Sequence, residues 1–377
     1  MLSARMMLGR ASRNAVLSAA PLRRSAFFCQ PWRDVSSSAL RVLFFGTDDI
    51  SLATLKQLHA NMTSNEEPLV KHIEVICPPD KRIGRSRKKT PVPVKQFALE
   101  QNLPVHHIPD NVKSLKDWPM PTNATFDVGV VVSFGYFIHP HMLQHVKNGA
   151  INMHPSLLPK YRGPAPIPRA LLHGDTTTGI SVIEIDPTAF DVGRILLQKP
   201  LPIPRDATYL SLSSYLADQG ADCVVETLRE LDQKKRDAVV QDDANASKAP
   251  KMKREHGLVT WHESTTELYN MYRAVGETFG VVASHCSLPI KLIKMRLPSS
   301  EELTALHTIL NDVPAPGSYL YDKPLKALWV KTVDGWVIVS QVQPANKSIC
   351  TAMDFANGQR LQARTVYSFE PFPTDLE

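Results

Sequence analysis

Short apolar runs alternating with helical stretches constrain this chain more than any other feature. The first run, Arg41-Val-Leu-Phe-Phe-Gly46, ends in a glycine, and Thr47 or Asp48 then offers an N-cap. A helix follows whose apolar face includes Leu52, Leu55 and Leu58. Val70–Cys77 reads as a second strand, Val94–Gln101 as a helix, Asp127–Ser133 as a strand and Ala150–His154 as another, with 78–93 a loop. Strands alternating with helices imply an α/β domain built on a mostly parallel sheet, with ligands at the carboxyl ends of its strands. The opening lacks GxGxxG, and no GxxxxGK[ST] occurs anywhere, so neither dinucleotide nor P-loop phosphate binding is supported.

Leu212, Leu216, Val224, Val225, Leu228 and Leu231 then space out an amphipathic helix, and the charged, aperiodic stretch 232–257 reads as a linker. From Leu258 onward, short apolar segments (Pro289–Met295, Gly317–Tyr321, Ala327–Thr332, Trp336–Val342) sit between Pro, Gly and Asp turn signals, a pattern of a small β-barrel or sandwich. The 377 residues agree with two such domains. No apolar run approaches the roughly 18 residues of a membrane helix. The five cysteines (Cys29, Cys77, Cys223, Cys286, Cys350) form no CxxC pair, which argues against a disulfide framework or zinc ribbon.

The net charge of +6 is unevenly placed. Residues 1–33 hold six arginines and no acid, so setting them aside leaves 37 basic against 37 acidic residues. An Arg-rich, Ser-rich, acid-free leader with Met, Leu and Ala between the arginines has the composition of a mitochondrial transit peptide, a chloroplast address being the competitor. The expected division is a transit peptide at 1–38, a catalytic domain at 39–231, a linker at 232–257 and a barrel at 258–377.

The richest stretch for chemistry is Gly149-Ala-Ile-Asn-Met-His-Pro-Ser-Leu-Leu-Pro-Lys-Tyr-Arg-Gly163. Asn152 and His154 stand at i and i+2 of a strand, so both project from one face. An amide and an imidazole there can hydrogen-bond a carbonyl oxygen as it gains charge. By itself Asn-x-His more often marks a capped strand end. Asp191-Val-Gly193 supplies a carboxylate able to orient His154 or pass a proton, or simply an Asp serving a turn.

Together the Asn152-x-His154 pair, the Ser156-Leu-Leu-Pro-x-Tyr-Arg-Gly163 loop and Asp191-x-Gly193 resemble the 10-formyltetrahydrofolate-dependent formyltransferases. Phe45-Gly-Thr47, Val131-Val-Ser-Phe-Gly135, Ala315-Pro-Gly317 and Gln341-x-Gln343-Pro344 extend the resemblance over about 41–365, towards the branch acting on methionyl-tRNA. The resemblance implies a Rossmann-like formyltransferase domain followed by a small OB-like β-barrel. It implies that Asn152, His154 and Asp191 are catalytic, that Ser156, Leu157, Leu158 and Pro159 line the folate site, and that Phe134 and Gly135 lie near the pterin. It implies 10-formyltetrahydrofolate as co-substrate, no metal, and a monomer working in the mitochondrial matrix.

Lys81-Arg-Ile-Gly-Arg-Ser-Arg-Lys-Lys89 has six basic residues in nine, a composition that neutralises phosphates. In the resembling enzymes this loop enters the acceptor-stem end of the tRNA, which makes Lys81, Arg82, Arg85, Arg87, Lys88 and Lys89 the expected tRNA contacts. The region 257–377 carries 10 basic against 12 acidic residues and has no field favouring RNA. The opening turn reads Gly-Thr-Asp-Asp where the family usually has Gly-Thr-Pro-x, and Pro155 stands where many relatives carry Gly. The rival readings are a small-molecule folate formyltransferase or hydrolase, and a catalytically inactive RNA-binding relative.

Overall fold

The computed structural model describes residues 39–372, apart from 64–66, 84–87, 311 and 363. The leader reading at 1–38 therefore falls outside the described residues.

Among the described residues, nine strands belong to the first half: β1 (Leu40–Gly46), β2 (Val70–Cys77), β3 (Lys81–Ile83), β4 (Lys88–Thr90), β5 (Val105–His107), β6 (Val128–Val132), β7 (Ala150–His154), β8 (Thr177–Glu184) and β9 (Ile195–Pro202). Seven form one sheet in the order β5-β2-β1-β6-β7-β8-β9, parallel as far as β7 and antiparallel beyond it. The alternation within β1 explains its unbroken apolar run. Val42 and Phe44 enter a core shared with Leu55, Leu58, Leu212 and Leu216, whereas Leu43 and Phe45 face an opposite core containing Ile76, Val131 and Phe134. A strand covered on both faces has no polar side to show.

The helices of this half are α1 (Asp49–Thr63), α2 (Pro93–Glu100), α3 (Pro140–Leu143), α4 (Pro166–His173), α5 (Tyr209–Arg229) and α6 (Leu231–Arg236). Most expected elements lie within a residue or two of these bounds. The 78–93 loop is the exception, since β3 and β4 pair within it as an antiparallel hairpin. Its strands are mostly lysine, arginine and threonine, so no apolar alternation announces them.

The second half holds β10 (Val281–His285), β11 (Leu288–Arg296), β12 (Ser318–Asp322), β13 (Ala327–Lys331), β14 (Trp336–Pro344), β15 (Cys350–Thr351) and β16 (Tyr367–Ser368), with α7 (Thr265–Val275), α8 (Ser300–His307) and α9 (Ala352–Gly358). The antiparallel sheet runs β10-β11-β14-β13-β12-β16. It curls until its edges meet, where Ser284 and Glu370 exchange two backbone hydrogen bonds of 3.0 and 2.9 Å. This isolated bridge joins the edges at one point, so the curled sheet is a half-barrel consistent with the expected OB-like domain. Trp329 and Trp336 are buried on its outer side with Leu306 of α8, and the Trp329 indole donates to Asp322 Oδ2 at 3.0 Å. Both are core residues.

A Ser264/Glu267 capping box starts α7, which serves both halves. Leu268 and Tyr269 enter the barrel core, while Ala274 and Val275 enter the core beneath the parallel sheet. The 232–257 connection carries α6 and then lies along the first half. Val239 pairs with Ile195, and Ser247 and Ala249 pair with Arg162. Such isolated bridges leave no periodic trace in sequence. Among the described residues, no helix is long and apolar enough to cross a membrane.

Candidate active site

Strand order reverses between β1 and β6, which opens a crevice beyond their carboxyl ends, the usual ligand position in such sheets. A cavity of about 700 Å³ lies there. Asp48 follows β1 into it, Ser133–Ile138 follow β6, and Asn152, His154 and Pro155 come from the end of β7. Gly163–Pro168, Ile183–Asp186 and Ala189–Asp191 form further walls, with Tyr209, Lys251, Met252, Ala274, Thr278 and Phe279 opposite. Its size suits a drug-sized ligand.

Two side-chain hydrogen bonds tie the strand ends at the crevice. Ser133, at φ +48°, donates its hydroxyl to Asp48 Oδ2 at 2.6 Å, and Thr47 Oγ1 donates to the Phe134 carbonyl at 3.1 Å. Asp48 also accepts the Ser51 backbone N–H at 3.3 Å, in the first turn of α1. The unusual Gly-Thr-Asp-Asp opening thus supplies a carboxylate with two partners.

Along β7 the pleat places Met153 in the core on one face and turns Asn152 and His154 to the other. His154 is buried, and its Nε2 lies 3.0 Å from the Tyr161 carbonyl. A carbonyl only accepts, so Nε2 carries the proton and donates. The remaining ring nitrogen, Nδ1, faces Asp191 Oδ1 at 3.7 Å, longer than a hydrogen bond. Asn152 Nδ2 donates to the same oxygen over a long 3.4 Å, and the Gly163 N–H donates to Asp191 Oδ2 at 2.9 Å. The three expected residues therefore converge.

Asp191 reaches this place from 37 positions beyond His154 through close backbone approach. A Cβ on Gly193 would lie 1.8 Å from the Glu184 carbonyl oxygen, so only glycine lets the turn lie against β8. Gly163 has φ +125°, and a Cβ there would meet the Ala249 carbonyl oxygen at 2.8 Å. Tyr161 is also held from several sides. Its N–H donates to Ser247 Oγ at 2.9 Å and its hydroxyl to Asp175 Oδ2 at 2.8 Å, with His173 Nδ1 2.9 Å away. Burial, with Asp175 beside it, pushes the Tyr161 phenol well above its ordinary range.

Phe134 and Gly135 line the cavity. Ser156, Leu157, Leu158 and Pro159 do not line it. They form a turn behind His154 whose polar groups are spent locally. Ser156 Oγ donates to the Lys160 carbonyl at 2.7 Å, the Ser156 carbonyl accepts from Ser181 Oγ at 2.7 Å, and Gln198 donates to the Leu158 carbonyl at 2.9 Å. Sequence reasoning missed Asp48, Ser133 and the Tyr161 carbonyl. Backbone atoms and fold-dependent pairings leave no motif, although Tyr161 stands within the quoted loop.

Of the basic cluster, Lys81, Lys88 and Lys89 are exposed on the β3–β4 hairpin, and Lys89 pairs with Asp110 at 2.5 Å. Arg85 and Arg87 lie outside the described residues, as does the Arg82 side chain. Among the described residues, no group of three or more His, Cys, Asp or Glu side chains is arranged to hold a metal ion. His141 donates Nε2 to the Trp118 carbonyl at 3.0 Å, and its ring stacks on His139.

A formyl transferase model matches residues 40–228, and a formyl transferase C-terminal domain model matches 251–360. Mitochondrial methionyl-tRNA formyltransferase of Homo sapiens is 35% identical over 334 residues, covering 87% of this chain and 81% of that protein. The methionyl-tRNA formyltransferase of Trichodesmium erythraeum (strain IMS101) is 32% identical, covering 85% and 96%. The chain belongs to the methionyl-tRNA formyltransferase family. In fold it is also similar to WlaRD, a sugar 3N-formyl transferase solved in the presence of dTDP and 5-N-formyl-THF. That match has a TM-score of 0.54 at 18% identity, covering 82% of this chain and 100% of that one.

Proposed function

We propose that this chain transfers the formyl group of 10-formyltetrahydrofolate to the α-amine of methionyl-tRNA, giving N-formylmethionyl-tRNA for mitochondrial initiation. The observation that carries this reading is the convergence of Asn152, His154 and Asp191 on one cavity at the switch point of the sheet.

The amine nitrogen bonds to the formyl carbon while a carbonyl electron pair moves onto oxygen. Collapse of that intermediate breaks the bond to N10, the attacking nitrogen loses a proton and N10 gains one, releasing tetrahydrofolate. Asn152 Nδ2 and a protonated His154 Nδ1 are the donors for the developing oxyanion, a role for which a single group typically contributes about 10²–10³ in rate. Asp191 holds the imidazole charge and helps carry the proton from the amine towards N10, directly or by water. Fixing Nε2 on Tyr161 leaves Nδ1 as the working nitrogen.

In this reading Phe134 and Gly135 contact the pterin end of the folate. Ser156–Pro159 act from behind the wall, holding the Lys160–Gly163 turn that orients His154. The hairpin residues Lys81, Arg82, Arg85, Arg87, Lys88 and Lys89 meet acceptor-stem phosphates. Catalysis belongs to 39–231, the barrel is 258–377, and the enzyme acts as a monomer in the mitochondrial matrix after loss of a leader at 1–38.

The test follows labelled formyl from 10-formyltetrahydrofolate into methionyl-tRNA, with wild type beside His154→Ala. Transfer by wild type and near-loss in the folded variant are expected. Folded wild type that transfers nothing would sink the reading.

A further inference from the structure

A buried amide outside the cavity joins the two loops that hold the site. Gln241 lies in the irregular stretch after α6 and is only 7% exposed. Its Nε2 donates to the carbonyls of Asp191 at 2.9 Å and Gly193 at 2.8 Å. Its Oε1 accepts from Arg162 Nε at 3.0 Å and Nη2 at 2.7 Å. Arginine can only donate and carbonyls can only accept, so these partners dictate which end of the amide is which. Both N–H bonds and both lone pairs are used. Arg162 is itself held by Asp243 at 2.8 Å through Nη1, and by backbone hydrogen bonds to Ser247 and Ala249.

Asp191 needs such a hold. At φ +59° it occupies the left-handed region, which costs a non-glycine residue about 1 kcal/mol or more. Gly163 grips its carboxylate, and Arg162, next along the chain, grips its backbone by way of Gln241. One turn therefore sets both the place of Asp191 and the direction of its side chain.

We propose that Gln241 is a positioning residue: its amide holds the Asp191–Gly193 turn so that the carboxylate faces His154 and Asn152. The proposal rests on the reading that Asp191 serves formyl transfer, and Gln241 touches no reacting atom. Gln241→Glu keeps the size and the Arg162 contact but sets an acceptor against two carbonyls.

Three readouts on the full chain test this: steady-state kinetics with both substrates, a double-mutant cycle with Asp191→Asn, and hydrogen–deuterium exchange over residues 186–195. A displacement of about 1 Å at a catalytic group costs on the order of 10²-fold in rate. The expected result is a fall in kcat of about 10–100-fold, with both KM values within about threefold. Exchange over 186–195 should rise while the barrel strands keep wild-type exchange. In the Asp191→Asn background, the Gln241 change should cost less than about threefold more, because its effect runs through Asp191. If Gln241→Glu does not fold, Gln241→Asn, which keeps the amide one methylene short, reads the same split. Unchanged kcat, a change confined to KM, multiplying losses in the cycle, or wild-type exchange over 186–195 would each overturn the proposal. Wild type without transfer activity, combined with raised exchange in the variant, would reject the assigned reaction and leave the hold on the turn supported.

Discussion

The Tyr161 backbone carbonyl accepts a hydrogen bond from His154 Nε2 at 3.0 Å, and this contact decides which imidazole nitrogen faces Asp191. A glutamine amide can take the place of Nε2 but offers nothing at the position of Nδ1. His154→Gln should therefore fold, melt within a few degrees of wild type, and lose about 10²–10³ in kcat with little change in either KM. Steady-state kinetics and a melting curve check it. A glutamine variant with wild-type kcat would remove Nδ1 from the mechanism.

Gly193 tests the close approach that delivers Asp191. An added methyl would lie 1.8 Å from the Glu184 carbonyl oxygen, so the turn must shift or β8 must yield. Gly193→Ala should cost about 2 kcal/mol or more of stability, with a further fall in kcat because Asp191 is two residues away. Urea denaturation beside kinetics would show it. Wild-type stability would mean the turn has slack.

The hairpin lysines concern tRNA and not folate. Lys89 is paired with Asp110 at the surface, but an exposed pair of this kind is worth little and gives way to a phosphate. Replacing Lys81, Lys88 and Lys89 by alanine should reduce the slope of log affinity against log salt by about one per lost phosphate contact. The KM for the folate should stay unchanged. An unaltered slope for methionyl-tRNA would place its phosphates elsewhere.

The barrel carries a pH-dependent pair. Arg296 grips Glu302 with Nη1 and Nη2 of its guanidinium, at 2.7 and 2.5 Å, and the Ser299 N–H adds a third hydrogen bond at 2.8 Å. Arg296, ahead of the other causes, pulls the Glu302 carboxyl down to about 2 from an ordinary value of 4.5. A lowered folded value means stabilisation that is full above 4.5 and lost as pH falls through 2. Glu302→Gln should be less stable than wild type at pH 7, by no more than about 1 kcal/mol for so open a pair, and the gap should close by pH 2. Denaturation at both pH values measures this. An equal gap at both would separate the effect from ionisation.

Much of the architecture was legible because it follows from local rules. The unbroken apolar runs of β1 and β6 marked strands covered on both faces, and the pleat of β7 put Asn152 and His154 on one side. The β3–β4 hairpin was not legible, since its residues are chosen for charge and pair without an apolar face. The 232–257 stretch, read as a linker from its charge, carries α6 and lies along the first half. Its isolated bridges to Ile195 and Arg162, and the buried amide of Gln241, have no period that a sequence can display.

The order of residues along the chain determined the chemistry available: an amide, an imidazole and a carboxylate, with glycines at 163 and 193 where the backbone beside the site meets other backbone. Tertiary structure alone decided how that chemistry is aimed. It brought Asp191 to within 3.7 Å of His154 in a left-handed conformation, anchored one ring nitrogen on Tyr161, and turned Ser156–Pro159 behind the wall. The physical reason is that hydrogen-bond partners are chosen by distance in space. A carbonyl brought in by a turn, or a glutamine amide 50 residues from the carboxylate it steadies, becomes a partner only when the chain has closed around it.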